Sequence, residues 1–364
     1  MKRTPFYEKH ATLGAKLVDF AGYAMPVQYQ SMVAEHMAVR QTAGLFDVSH
    51  MGEFLVTGPQ QVEFLDYATI NDIRGMVPGQ AQYSAMCLES GGIVDDLLIY
   101  KFEDKFMLVV NASNIEKDWQ HLAHLADSYD VTLENHSEDT ALLALQGPNS
   151  RDILQKLADT DLSAIPFYHF REGKVAGCSM VIARTGYTGE LGFELYHDPV
   201  FSAELWDTLM DAGQDAGLKP AGLGSRDSLR LEMKYCLYGN DIDETTTPQE
   251  ARLGWITKMD KPDFHGKAAL EVQKAAGLKR ALIAFELTER GIPRHGYDIY
   301  VGDEKVGQVT SGGHSPVLEK GIGMGYVNFP HHKTGTEIFI DIRGRKIPAK
   351  IVKPPFVKNT TIAS

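Results

Sequence analysis

The sequence predicts an α+β protein: two related halves, each of mostly antiparallel sheet covered on one side by helices, followed by a small all-β domain that reads as a barrel. Three features predict it. A strand ending in Gly-Pro and running into a helix occurs twice, at residues 54–65 and 142–154. Each half closes on an amphipathic helix, and at about residue 279 the pattern changes to short strands separated by close turns. A chain of 364 residues, 43% apolar and 23% charged, is long enough for more than one domain, and a crevice between domains is the natural ligand site.

The first unit, Phe54-Leu55-Val56-Thr57-Gly58-Pro59-Gln60-Gln61-Val62, reads as strand, turn and helix, with the proline in the helix's first turn. Leu142-Leu143-Ala144-Leu145-Gln146-Gly147-Pro148-Asn149-Ser150 repeats that order. Strand patterns broken by glycine turns follow each unit, from 83 to 110 around Gly91-Gly92 and from 174 to 196 around Gly186 and Gly189. The first closing helix fits a capping box from Ser113 and Glu116, with Ile115, Trp119, Leu122 and Ala126 on one face. Asp198-Pro199 opens the second, whose expected buried stripe is Phe201, Leu205, Leu209 and Ala212. A helix near Ser225 to Lys234 and an irregular stretch through Trp255 come next. Strand patterns at 281–287, 297–301 and 306–310, with a Gly-Asp turn before the last, then define the β domain at 279–364.

The net charge of −12 argues against general affinity for nucleic acid, which needs a basic surface to displace counterions from phosphates. No apolar run approaches the roughly 18 residues of a membrane helix, and the amino terminus has no apolar signal region, so a cytoplasmic protein is expected. Cys87, Cys178 and Cys236 lie far apart and read as reduced thiols of the core or of a site wall. His50 and the pair His331-His332 have no acid or cysteine at ligand spacing, so no metal site is expected.

Candidate chemistry concentrates in three segments. Gly91-Gly92-Ile93-Val94-Asp95-Asp96-Leu97-Leu98 puts two carboxylates at the mouth of an apolar strand, and alternation places Asp96 with Val94, Leu98 and Tyr100 and Asp95 on the other face. Two readings stand: turn-capping aspartates, or a partly desolvated carboxylate of raised pKa usable as a base or cation stabiliser. Arg184-Thr185-Gly186-Tyr187-Thr188-Gly189-Glu190 reads as a glycine hairpin, and Glu194 between Phe193 and Leu195 is an inward carboxylate in need of donors, which the adjacent ring N–H and amino group of a heterocycle supply. Gly222-Leu223-Gly224-Ser225-Arg226-Asp227 reads as a helix start with Ser225 at the N-cap. Arg226 is then a cation at the unfavourable end of the helix dipole, which suggests an anion or carbonyl to hold, or an acid partner at the surface. Asn111, ending the run 107–110, is either a turn residue or an amide aimed into the crevice.

These motifs occur in the order Phe46-Asp47-Val48-Ser49-His50-Met51, Gly91 to Asp96, Val110-Asn111-Ala112-Ser113-Asn114, Leu145-Gln146-Gly147-Pro148, Arg184 to Glu190, Leu223 to Asp227 and Val309-Thr310-Ser311-Gly312-Gly313. In that order and over essentially the whole chain the sequence resembles the aminomethyltransferase family, the T-proteins of the glycine cleavage system. The resemblance implies a three-domain cloverleaf around a central channel for tetrahydrofolate, with 1–50 and 137–225 in the first α+β domain, 51–136 and 226–278 in the second, and 279–364 in the barrel-like domain. It implies the reaction too: the aminomethyl group on the dihydrolipoyl arm of H-protein is converted with tetrahydrofolate to methylenetetrahydrofolate and ammonia, without a metal. By the same resemblance Asp96 is the catalytic carboxylate, Glu194 pairs with the pterin edge and Arg226 contacts folate. Met51, Tyr83, Tyr100, Asn111, Tyr187, Tyr235 and Trp255 line the channel. Ser225, Tyr23 and Arg252 depart from the family pattern, where alanine, tryptophan and glycine are usual.

The basic residues Arg343, Arg345, Lys346, Lys350, Lys353 and Lys358 stand out in an acidic chain and read either as a solvated strand face or as a docking site for H-protein. The alternative functions are a non-catalytic folate-binding protein and, on the same fold, a folate-binding iron–sulfur assembly factor. Its Lys-Gly-Cys-aromatic-x-Gly-Gln-Glu motif is only partly matched by Lys234-Tyr235-Cys236-Leu237-Tyr238-Gly239-Asn240-Asp241.

Overall fold

A computed structural model describes residues 1–362; the last two residues of the expected β domain lie outside the described residues. The chain opens with α1 (Tyr7–Thr12), the hairpin β1 (Lys16–Phe20) and β2 (Tyr23–Gln28), α2 (Met32–Gln41) and β3 (Ala43–Asp47). The first repeat unit follows as β4 (Gly52–Thr57), α3 (Gln61–Ala68), β5 (Gln80–Cys87), β6 (Ile93–Lys101), β7 (Phe106–Val110), α4 (Ile115–Ala126) and β8 (Thr132–Asn135). The second is β9 (Ala141–Gln146), α5 (Ser150–Gln155), β10 (Phe170–Val175), β11 (Cys178–Ala183), β12 (Gly192–His197), α6 (Ser202–Gly213) and β13 (Leu218–Pro220). Then come α7 (Leu223–Glu232), α8 (Lys267–Ala276) and the strands β14 (Arg280–Leu287), β15 (Asp298–Val301), β16 (Glu304–Ser315), β17 (Lys320–Asn328), β18 (Glu337–Ile342) and β19 (Arg345–Val352).

The repeat read from the sequence is a repeat of topology. One sheet runs β5-β6-β7-β4-β8 and the other β10-β11-β12-β9-β3-β13, so β4 to β7 and β9 to β12 occupy matching places, each with a helix after its first and fourth strand. Beyond β13 the remaining strands close as the barrel β14-β17-β16-β15-β18-β19, as expected. Each sheet buries its outer face under its own helices: Leu143, Leu195, Leu205, Trp206 and Leu209 form one such core, and Phe54, Phe64, Ile99, Leu108 and Leu122 the other. The inner faces meet through Phe46, Ala144 and Tyr196 from one side and Tyr100, Met107 and Val109 from the other. Burying apolar side chains on both faces of each sheet makes this stack the main store of hydrophobic free energy, about 25 cal/mol per Å² removed from water.

Several local expectations are corrected. Pro59 and Pro148 precede their helices instead of entering the first turn; Gln60 and Asn149 are the N-caps. Ser113 makes no capping box, because residues 112–114 form a 3₁₀ turn and the Asn114 amide is drawn to Asp95. In α6 the side chain of Asp198 does cap the preceding turn, but Phe201 is exposed and Trp206 takes the buried place beside Leu205 and Leu209. The N-cap of helix α7 is extended Gly222, three residues before the expected Ser225, whose hydroxyl instead donates to the Gly222 carbonyl at 2.8 Å. Arg226 is therefore the fourth helical residue, and the dipole no longer explains it. All three cysteines are buried and unpaired. Among the described residues no helix is long and apolar enough to cross a membrane.

Candidate active site

A cavity of about 1070 Å³ lies where the two sheets, α7 and the barrel meet. The five-stranded sheet contributes Tyr83 of β5, Asp96 and Leu98 of β6, and Asn111 just past β7. From the six-stranded sheet come Glu194 and Tyr196 of β12, and from the β3–β4 connection His50 and Met51. Arg226 of α7, Tyr187 of the β11–β12 loop, and Tyr235 and Trp255 of the irregular segment complete the wall, against Leu282 and Ala284 of the barrel. Tyr100 is the one expected residue not on the wall. It is fully buried behind Glu194, its hydroxyl 3.2 Å from Thr185 Oγ1 and 2.9 Å from the Tyr196 hydroxyl.

Strand β6 is aimed by its turn. Gly91 takes φ +85°, and a Cβ on Gly92 would lie 1.9 Å from the Glu244 carbonyl, so this close approach admits only glycine. Ile93 N–H then donates to the Asp243 and Thr246 carbonyls. Both aspartates lie inside the strand, which removes the turn-capping reading. Val94 does not share the Asp96 face as alternation predicts; the ladder shifts register between Met86 and Cys87, and Val94 packs in the outer core with Leu97 and Ile99.

Asp96 accepts from the Tyr83 hydroxyl at Oδ2 (2.9 Å) and from Asn111 Nδ2 at Oδ1 (2.9 Å). Burial and the charge of Asp95 push its carboxyl up to about 7, so near neutrality it is present in both protonation states. Glu194 stands in register between Ala183 and Ala144, small neighbours that leave room for its carboxyl group, and accepts from the Thr185 hydroxyl. Burial pushes it upward, opposed by Thr185, Arg226 and Tyr100. The Arg226 guanidinium sits 4.7 Å over the Tyr187 ring, which stacks on Tyr235 at 5.7 Å and 22°. At the mouth Trp255, 65% exposed, stacks on Tyr83 at 6.1 Å and 26°. The Tyr187 loop is held by Gln146, whose Nε2 donates to the Thr185 carbonyl while its Oε1 accepts from Thr188; a Cβ on Gly186 would meet that Oε1 at 2.0 Å.

Three groups, two buried and one half-buried, are not among the candidates of the sequence reading. Tyr196 lies two residues beyond Glu194 on the same strand face, so period two marks it. Glu53, 1% exposed and without a hydrogen-bond partner for either oxygen among the described residues, is marked only as a charge in an apolar strand. Tyr168 enters the wall from a loop at φ +59°, and no pattern marks it. His50, which lacks ligand spacing in the sequence, lies on the cavity wall; burial and the Arg226 charge push its imidazole down to about 4, so it faces the cavity neutral. No group of three or more His, Cys, Asp or Glu suited to a metal ion occurs among the described residues.

Comparison with known proteins agrees over the whole chain. Residues 6–261 match the family model described as GCVT N-terminal domain, and residues 280–358 the glycine cleavage T-protein C-terminal barrel domain. The aminomethyltransferase of Bacteroides fragilis is 53% identical over 363 residues, covering 98% of this chain and 100% of that protein. That of Halothermothrix orenii is 52% identical over 358 residues, with the same coverage. The crystal structure of glycine cleavage system aminomethyltransferase T from Bartonella henselae superposes with a TM-score of 0.92 at 36% identity, covering 99% of each chain. In sequence and in fold, from the repeated sheets through the closing barrel, the chain belongs to the glycine cleavage T-protein family of aminomethyltransferases.

Proposed function

We propose that this protein is the aminomethyltransferase of a glycine cleavage system, converting the aminomethyl group carried on the dihydrolipoyl arm of H-protein, with tetrahydrofolate, to methylenetetrahydrofolate, ammonia and dihydrolipoyl H-protein. The observation that carries the residue assignment is the pairing, in one cavity, of Asp96 poised near neutrality with Glu194 set among small residues. Tetrahydrofolate supplies the ring nitrogen that takes the one-carbon unit. The cavity suits it chemically: a buried carboxyl accepts a bidentate pair from an amino-pyrimidine edge, and stacked rings offer flat faces. Glu194 binds the pterin edge, Arg226 holds a carbonyl or anion of the folate, and Met51, Tyr83, Asn111, Tyr187, Tyr235 and Trp255 shape the channel, with Tyr100 bracing Glu194 from behind. Asp96, aligned by Tyr83 and Asn111, orients the folate, accepts or relays a proton, and stabilises the cationic character of the transferring carbon in a water-poor site.

The chain division inferred from the family is part of this proposal: 1–50 with 137–225, 51–136 with 226–278, and 279 onward. It is supported by β3 pairing with β9 and by the self-contained barrel. A cytoplasmic location is part of it as well. The proposed docking site for H-protein is the basic edge around Arg343, Arg345, Lys346, Lys350 and Lys353, a reading supported by β19 running from that edge to Val352, which with Pro354 and Pro355 just beyond it lies on the cavity wall. The assembly-factor alternative rests on Cys236, and burial pushes that thiol up to about 12, which disfavours the thiolate needed for metal or sulfur chemistry.

The deciding experiment is Asp96→Asn assayed for methylenetetrahydrofolate and ammonia from aminomethylated H-protein. Turnover falls by about 100-fold or more while folate still binds, and the rise of the wild-type rate with pH through about 7 disappears. Unimpaired product formation by a folate-binding Asp96→Asn protein overturns the assignment.

A further inference from the structure

Behind Asp96, away from the cavity, lies a second acidic pair that the reaction does not call on directly. Asp95, fully buried on the opposite face of β6, receives three N–H donors: Asn111 N to Oδ2 at 3.0 Å, Asn111 Nδ2 to Oδ1 at 2.9 Å and Asn114 Nδ2 to Oδ1 at 2.7 Å. Asp118 of α4, also fully buried, meets the Asp95 carboxyl, and neither of its oxygens has an N–H or hydroxyl donor among the described residues. Two carboxylates in contact and out of water cannot both be ionised, so the pair must hold a proton. The donor count decides where: three N–H groups stabilise charge on Asp95 against the cost of its burial, and among the described residues only Asp95 is left to satisfy Asp118.

We propose that Asp118 is a positioning residue for the transfer reaction: un-ionised, its carboxyl O–H donates to Asp95, Asp95 fixes the main chain and amide of Asn111, and that amide fixes Asp96. This rests on the reading of Asp96 given above. The Asn111 Nδ2 group lies 2.9 Å from both Asp95 Oδ1 and Asp96 Oδ1, so one amide couples the hidden pair to the working carboxylate. The other charged or titratable groups facing Asp118 are Lys117 on its own helix, Asp96 on β6 and the Tyr238 hydroxyl, 2.7 Å from Lys117 Nζ, from the segment after α7. Burial and the Asp95 charge outweigh Lys117 and push Asp118 up to about 11, which keeps the proton in place across the working range.

The experiment compares Asp118→Asn and Asp118→Ala in the full-length protein, with Asp96→Asn as control. An asparagine amide donates to Asp95 as the acid does, so Asp118→Asn keeps kcat within about twofold of wild type, while a carboxylic-acid C=O band in the infrared spectrum at neutral pH is lost. Asp118→Ala leaves Asp95 charged without that donor and Asn111 loose. Its kcat falls at least about tenfold with the folate KM changed less than about threefold, and the midpoint of the pH–rate profile moves up by at least about 0.5 unit. A merely structural loss lowers the active fraction without moving the midpoint. The proposal is overturned if the Asp118→Ala midpoint stays put, if Asp118→Asn is as slow as Asp118→Ala, or if the infrared band survives in Asp118→Asn. An active Asp96→Asn control sinks the reading of the site instead, and the infrared result still decides whether Asp118 holds the proton.

Discussion

Glu194 and His50 face one cavity with opposite electrostatic demands. Glu194 needs an N–H-bearing ligand edge, since its own shell supplies the Thr185 and Tyr100 hydroxyls and a neighbouring guanidinium but no pair of N–H donors. Glu194→Gln keeps the shape and replaces half of the acceptor with a donor, so the folate KM rises by about 10- to 100-fold, the loss of a charge-assisted hydrogen bond, with a smaller change in kcat. His50 is held neutral. Unfolded, it titrates near 6.5, and folded near about 4, so between those values the unfolded chain binds the extra proton. Its stabilising contribution is full above pH 6.5 and is lost as pH falls through about 4, up to about 3 kcal/mol in all. Melting temperature recorded across that range should fall less steeply for His50→Asn than for the native protein.

At the scale of elements, helices α2 and α7 and the barrel strand β16 are tied together by one buried carboxylate. Glu232 accepts from Arg40 Nε at 3.0 Å and Nη2 at 2.8 Å, from His36 Nε2 at 3.1 Å and from the Ser315 hydroxyl. Its backbone carbonyl accepts from Phe356 N–H at 2.8 Å. Removing the carboxylate leaves Arg40 with Glu190 as its one remaining carboxylate partner, beside the Thr188 and Leu229 carbonyls, and strands its Nε and the His36 and Ser315 donors, so Glu232→Ala costs about 3 to 5 kcal/mol, read as a lower urea midpoint. The elements were the most legible level in the sequence. The continuous apolar run at 141–145, ended by Gly-Pro, and the glycine turn at 91–92 locate β9 and β6 without tertiary help. What failed was capping: Ser113 and Ser225 both carry the right side chain at a plausible place, yet Asn114 is pulled toward Asp95 and α7 extends back to Gly222, and neither pull is visible within a window of local sequence.

Across the whole molecule the charge of −12 is not evenly felt. On the barrel edge Lys346 pairs with Asp303 at 2.8 Å, and Lys350 stands in register with Glu286 and Glu337, so Arg343, Arg345 and Lys353 are left to carry the positive field. Reversing Arg345 and Lys346 to glutamate should raise the KM for H-protein by about threefold or more at low ionic strength and flatten its salt dependence; an unchanged KM and salt response place the docking face elsewhere. Hydrophobic patterning and turn residues alone yield the α+β class, the doubled strand-turn-helix order and the barrel, and the resemblance that the ordered motifs carry adds the reaction and ten site residues, nine of which line the cavity. These are legible because hydrophobic periodicity, glycine turns and collinear motifs are local properties of the chain. What needed the folded chain is that Tyr100 lies behind Glu194, that Glu53, Tyr168 and Tyr196 belong to the surroundings of the cavity, and that Asp95 and Asp118 meet out of water beneath Asp96. Those facts depend on which buried groups are left to satisfy one another after distant segments have packed and water has gone, a property of the assembled interior that no stretch of sequence encodes alone.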